Sequence, residues 1–119
     1  MKRVALLIFL LTTPALAHDS EHPELNNWMM SLKNKRNTSC CDGSDALHLR
    51  DVDWESQNKP TSHFRVRIPT KQDGSHVEWV DVPDDSVVED PNKDGSTLVW
   101  PVYGPYGATI QCFMMGAQG

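Results

Sequence analysis

Thr38-Ser39-Cys40-Cys41-Asp42-Gly43 divides the chain into two differently patterned parts. Upstream, Leu25, Trp28, Met29 and Leu32 fall at i, i+3, i+4 and i+7, one stripe of a helix. Pro23 suits a first turn, Glu24 the positive helix end, and Lys33, Lys35 and Arg36 the negative end. Asn34 and Asn37 can stop it, so a helix is expected over about 23–34. Downstream the period changes from 3.6 to 2. Strands are expected over 46–50, 63–68, 76–82, 97–103 and 108–113, with a polar loop over 55–62. Phe64, Val66 and Ile68 should face inward and Arg65 and Arg67 outward, while Pro101 demands an edge or a bulge in its strand. Trp28 and Trp79 are most simply core. The expected fold is α+β: one N-terminal amphipathic helix packed on a small antiparallel sheet of about five strands, as a meander or a small barrel.

The third cysteine, Cys112, lies near the end of the last strand pattern. Adjacent residues in an extended segment point to opposite faces, so Cys112 can reach one member of the Cys40-Cys41 pair comfortably. Cys41 is favoured as the nearer to the first strand, Cys40 is the alternative, and a vicinal Cys40–Cys41 bridge is the rival. A loop of about 72 residues closed this way contributes roughly 4 kcal/mol by chain entropy. The remaining thiol is either buried, in a monomer, or joins two chains in a disulfide-linked dimer.

Residues 1–17 read as a signal peptide. Lys2 and Arg3 precede an apolar run from Val4 to Leu11, and Ala15-Leu16-Ala17 gives the small-x-small cleavage pattern. The run falls short of the ~20 apolar residues a retained membrane anchor needs. An exported protein, periplasmic or secreted, is expected to begin at His18, with a single small domain over 18–113 and a flexible tail over 114–119. The formal net charge of −5 becomes more acidic when Lys2 and Arg3 leave. With no basic cluster, neither nucleic acid nor a membrane surface is an expected partner.

A set of short motifs accompanies the cysteines: Cys40-Cys41, Val77-Glu78-Trp79-Val80-Asp81-Val82-Pro83, Pro91-Asn92, Val99-Trp100 and Cys112-Phe113. In these the chain resembles, over about 40–113, an uncharacterised group of small exported proteins of Gram-negative bacteria. They share a paired-cysteine segment, a Trp-x-x-Val-Pro strand end and a closing Cys-Phe. The resemblance implies export and a common fold and carries no catalytic residues. Met115 departs from it, standing where proline is expected before Gly116.

Several residues invite chemistry, each beside a plainer explanation. A mature N-terminal His18 offers its amine and imidazole to copper, with His22, His48, His63 or His76 as a further ligand; an incidental histidine on a polar lead accounts for it more simply. Asp90, Asn92, Asp94, Gly95 and Ser96 follow a calcium-loop spacing, but Pro101 stands where a bidentate Glu belongs, and a plain Asn/Asp-Gly turn suffices. Cys40-Cys41 lacks the two-residue spacing of redox pairs. No Ser-His-Asp order has a strained-turn context. Trp54, Trp100, Tyr103 and Tyr106 lie near loops and form a possible aromatic binding surface. The composition therefore favours a small exported disulfide-containing binding or structural module, with a protein or glycan ligand and no cofactor, over an enzyme. Copper binding through His18 and thiol redox through Cys40-Cys41 are the alternatives.

Protein recovered from the exported fraction should lack residues 1–17 by intact mass. Retention of Met1–Ala17 in a membrane-bound form would overturn the assignment of export.

Overall fold

A computed structural model of the chain describes residues 23–41 and 45–116. A 3-10 turn at Pro23–Leu25 leads into the α-helix α1, Asn26–Ser31. Six strands follow: β1 Leu47–Leu49, β2 Trp54–Lys59, β3 Ser62–Pro69, β4 Val77–Val82, β5 Thr97–Gly104 and β6 Gly107–Met114. They form two antiparallel three-stranded sheets, ordered β1-β5-β6 and β2-β3-β4.

The molecule is thus mostly β, which corrects the α+β expectation of one amphipathic helix on a five-stranded sheet. The apolar stripe exists, with Met29 and Leu32 fully buried, but α1 is six residues long. Leu32 is already extended (φ −71°, ψ 138°). It is needed elsewhere, because its carbonyl accepts the Cys40 N–H and Lys33 bridges Ser39. A helix this short gains little from its own hydrogen bonds and owes its place to packing.

Residues 55–62 are not a loop either: β2 occupies most of that stretch and pairs with β3, Trp54 opposite Val66 and Glu55 opposite Arg65. A simple meander is also excluded, since β1 pairs with β5, Leu47 opposite Val99. β3 alternates as its sequence requires, Val66 and Ile68 buried and Arg65 and Arg67 on the other face.

The β1-β5-β6 sheet is buried on both faces. Leu98, Trp100, Cys112 and Met114 pack with Met29, Leu32, Cys40 and Val88 on the helix side. Val99, Ile110 and Phe113 pack with Val66, Ile68 and Val82 of the second sheet. Ile110 and Cys112, two residues apart, would share a face in a regular strand. A bulge separates them: Trp100 pairs with Cys112 and Pro101 with Ile110, leaving Gln111 as the extra residue. Pro101 therefore sits at a bulge in a central strand, where its missing N–H costs no regular ladder bond. The carbonyls released by the bulge are not orphaned. Ser86 Oγ donates to Ile110 O at 2.7 Å, and Asn34 Nδ2 donates to Gln111 O at 2.8 Å.

Asn34 is buried, and its Oδ1 accepts the N–H groups of Arg36 and Thr38. It thereby shapes the turn that delivers Cys40 to the sheet, while Gln111 Nε2 donates back to Ser39 O. The disulfide joins Cys40 to Cys112, with Cα atoms 5.5 Å apart. Cys41, the favoured partner from sequence, is the free thiol. The reason is the Leu32–Cys40 pairing, which turns Cys40 inward and leaves the Cys41 sulfur beside Met29 O at 3.5 Å. Downstream of β6 the chain stays tied through Gly116, whose N–H donates to Thr97 Oγ1. A Cβ at Gly116 would lie 2.8 Å from Gly95 O, so a larger residue there would force the turn open.

Non-reduced peptide mapping should recover a Cys40–Cys112 cross-linked peptide, with alkylation in denaturant confined to Cys41. Cys112→Ser should cost about 4 kcal/mol of stability. Alkylated Cys112 in never-reduced protein would contradict the pairing.

Candidate functional site

Two hairpin tips meet at one end of the paired sheets. The first joins β3 to β4. Thr70 donates to His76 O from both its N–H (3.0 Å) and its Oγ1 (2.7 Å), and Gly74 N donates to Lys71 O. Asp73 Oδ1 accepts both the N–H and the hydroxyl of Ser75, which holds its carboxyl below the ordinary range. His76 closes the tip in a left-handed conformation, φ +60°. The second tip is Gly104-Pro105-Tyr106-Gly107, where Gly104 pairs with Gly107, and Gly107 supplies φ +114° without a side-chain penalty.

Between the tips lies a cleft of about 600 Å³, lined by Lys71, Gln72, His76, Glu78, Tyr103 and Tyr106 among others. Glu78 continues the inward-facing row of Val82 and Val80, reaching the cleft where the apolar core ends. Partial burial pushes the Tyr103 phenol further above its ordinary value. Tyr106 is fully exposed. The cleft thus offers two aromatic surfaces and polar groups of both signs.

Of the four aromatics expected to form a binding surface, only Tyr103 and Tyr106 come together. Trp100 is fully buried on the helix side of its sheet. Trp54 packs between the sheets, its ring 6.2 Å from Phe64 and 6.0 Å from Phe113. His76 and Glu78 join the tyrosines in the cleft, a grouping the sequence pattern does not reveal outright. The Gly74-Ser75 turn beside His76 and the alternation of β4 were the available signals.

The remaining candidates separate. His18 and His22 lie outside the described residues. His48 Nδ1 lies 2.7 Å from Ser96 Oγ, His63 Nδ1 2.8 Å from Asp84 Oδ1, and His76 Nδ1 2.9 Å from Ser75 Oγ. No three His, Cys, Asp or Glu side chains gather among the described residues in a way that would hold a metal. In the calcium-like loop, Asn92 Oδ1 accepts the N–H groups of Asp94 and Gly95, and Gly95 takes φ +91°, the geometry of an Asn-led turn. Burial raises the Cys41 thiol. The Trp100 indole N–H lies close enough to favour the thiolate in part, yet makes no well-formed hydrogen bond. That environment opposes the low-pKa, accessible thiol that redox chemistry needs. Asp73, Ser75 and His76 touch in sequence, but Asp73 bonds the hydroxyl and not the imidazole, so it does not orient a base.

Trp79 is not core. It lies on the outer face of the β2-β3-β4 sheet, with the Arg65 and Arg67 guanidinium groups 4.4 Å and 5.5 Å from its ring centre. Arg65 pairs with Glu55 and Arg67 with Asp53. Among the described residues no helix is long and apolar enough to cross a membrane. No family model, curated protein or solved structure matches the chain.

Hydrogen bonds from Arg67, then Arg50, hold the Asp53 carboxyl below the ordinary range. A depressed carboxyl contributes stability that is present above its unfolded pKa of about 4 and lost as pH falls through the lower folded value. In Arg67→Met, NMR titration should find Asp53 protonating at higher pH. Stability should then fall less steeply below about pH 4. An unchanged Asp53 titration would show that Arg67 does not hold it.

Proposed function

We propose that the chain is a small exported, disulfide-stapled binding module that engages a ligand in the cleft between the two hairpin tips. Export is supported by the pattern of residues 1–17, by a disulfide that persists in oxidising compartments, and by the resemblance to small exported Gram-negative proteins. Binding is favoured over catalysis by the cleft's make-up, aromatic and polar surfaces without an oriented nucleophile or base.

His76 carries the proposal. A left-handed backbone costs an ordinary residue about 1–2 kcal/mol, and glycine escapes that cost. The chain places an imidazole there, and the imidazole lines the cleft. Strained backbone of this kind clusters at binding and active sites, which favours a role for the imidazole there.

His76→Gly should leave stability unchanged within about 1 kcal/mol, relief of strain offsetting the looser unfolded chain. Amide shift mapping of the full chain against soluble oligosaccharides and short peptides should give perturbations at residues 70–78 and 103–107 that His76→Gly abolishes. Equal perturbation in the variant, or perturbation centred on Trp79, would remove the cleft from consideration.

A further inference from the structure

Taking the tip cleft as the binding site, we infer that its ligand is a short uncharged glycan, stacked on Tyr106 and Tyr103 and hydrogen-bonded through its hydroxyls to Gln72, His76 and Glu78.

Part of the backbone of both tips is already hydrogen-bonded. Thr70 N goes to His76 O, Gly74 N to Lys71 O, and Gly104 pairs with Gly107. Those particular main-chain groups are not available to an added peptide strand. The cleft lining includes no Val, Leu, Ile or Met side chain, so an aliphatic peptide anchor has only the tyrosine rings and Pro105 to pack on.

Charge points the same way. Lys71 and Glu78 line one cleft with opposite signs, so no single-sign field selects an anion or a cation. The whole chain is acidic, with a formal net charge of −5, which disfavours anions further.

The groups that remain match a sugar. Ring C–H groups carry slight positive charge and pack on the negative face of an aromatic ring. Tyr106 presents a fully exposed ring on a tip fixed by Pro105 and Gly107. Gln72 both donates and accepts, Glu78 accepts at two oxygens, and the His76 imidazole adds a donor or an acceptor. Neighbouring hydroxyls of a sugar need that mixture. The Tyr103 phenol adds a neutral hydroxyl that can donate. At about 600 Å³ the cleft has room for a few sugar rings and falls within the usual size of small-ligand sites.

The test is amide shift mapping of the disulfide-intact chain with three neutral trisaccharides, cellotriose, maltotriose and N,N′,N″-triacetylchitotriose, and with tetra-alanine as the peptide probe. At least one trisaccharide should saturate shifts at residues 70–78 and 103–107 with a Kd of about 1 mM or tighter. Tyr106→Ala should weaken that binding about tenfold with thermal stability unchanged, since the exposed ring has no core role. Saturation of the same residues by tetra-alanine alone overturns the glycan assignment and leaves the cleft as a peptide site. Absence of saturable shifts there with all four probes overturns both the glycan assignment and the cleft as a binding site. A trisaccharide response that Tyr106→Ala does not alter overturns the stacking arrangement.

Discussion

One extra residue, Gln111, allows a single pair of strands to serve two cores. Without it, Ile110 and Cys112 would point to the same side of β6, and one of the two clusters would lose a buried side chain. With it, Ile110 joins Phe113 and Val99 against the second sheet, while Cys112 and Met114 turn toward α1. The bulge would be costly if its carbonyls went unpaired, at about 1–3 kcal/mol for each buried group. Ser86 and Asn34 meet that demand from two separate loops. The irregularity is thereby turned into a docking point for both the 3-10 turn at Asp84–Ser86 and the turn that carries Cys40.

That arrangement settles what the rest of the chain can do. β5 and β6 are consumed by packing along most of their length and emerge only at their tip, where Tyr103 and Tyr106 become available. The outer face of β2-β3-β4 is covered by cross-strand ion pairs, Arg65 with Glu55 and Lys59 with Asp81, and by the Arg–Trp79 stack. Exposed pairs of this kind contribute little each, about 0–1 kcal/mol, but they leave few unpaired charges on that face. The tip cleft differs from it in presenting aromatic rings and hydrogen-bonding groups on two short, internally bonded turns. Rigid walls reduce the entropy lost when a ligand is held.

Parts of this were legible in the sequence. The alternation through Phe64, Val66 and Ile68 located β3 and its faces, and Pro101 pointed to an edge or a bulge, of which the bulge is found. β2 was hidden because Trp54 is its one large apolar residue; the rest of the strand is an exposed polar edge that alternates nothing hydrophobic. The stripe through Met29 and Leu32 marked a buried segment correctly, but periodicity alone does not reveal that Leu32 must straighten to meet Cys40. Trp79 was misjudged from its size, although counting back from Val82 and Val80 by twos puts it on the opposite face. For the site, Tyr103 and Tyr106 were recoverable from their turn, whereas Trp100 was drawn inside by a sheet covered on both sides. That double burial comes from packing Met29, Leu32 and Cys40 on one face and Val66, Ile68 and Val82 on the other, contacts distant in sequence that no local pattern encodes.

The bond between Cys40 and Cys112 also sets how the molecule answers to pulling. Tension applied at the two ends of the chain passes from Cys40 directly to Cys112, at a sequence separation of 72, and the span between them carries none of it. Both sheets' internal hairpins, and the tip cleft with them, lie inside that shielded span. The segments that bear load are α1 with the Leu32–Cys40 turn on one side and the last residues of β6 on the other. A domain built this way can be stretched at its ends, or hung between a surface and a partner, while its cleft keeps its shape.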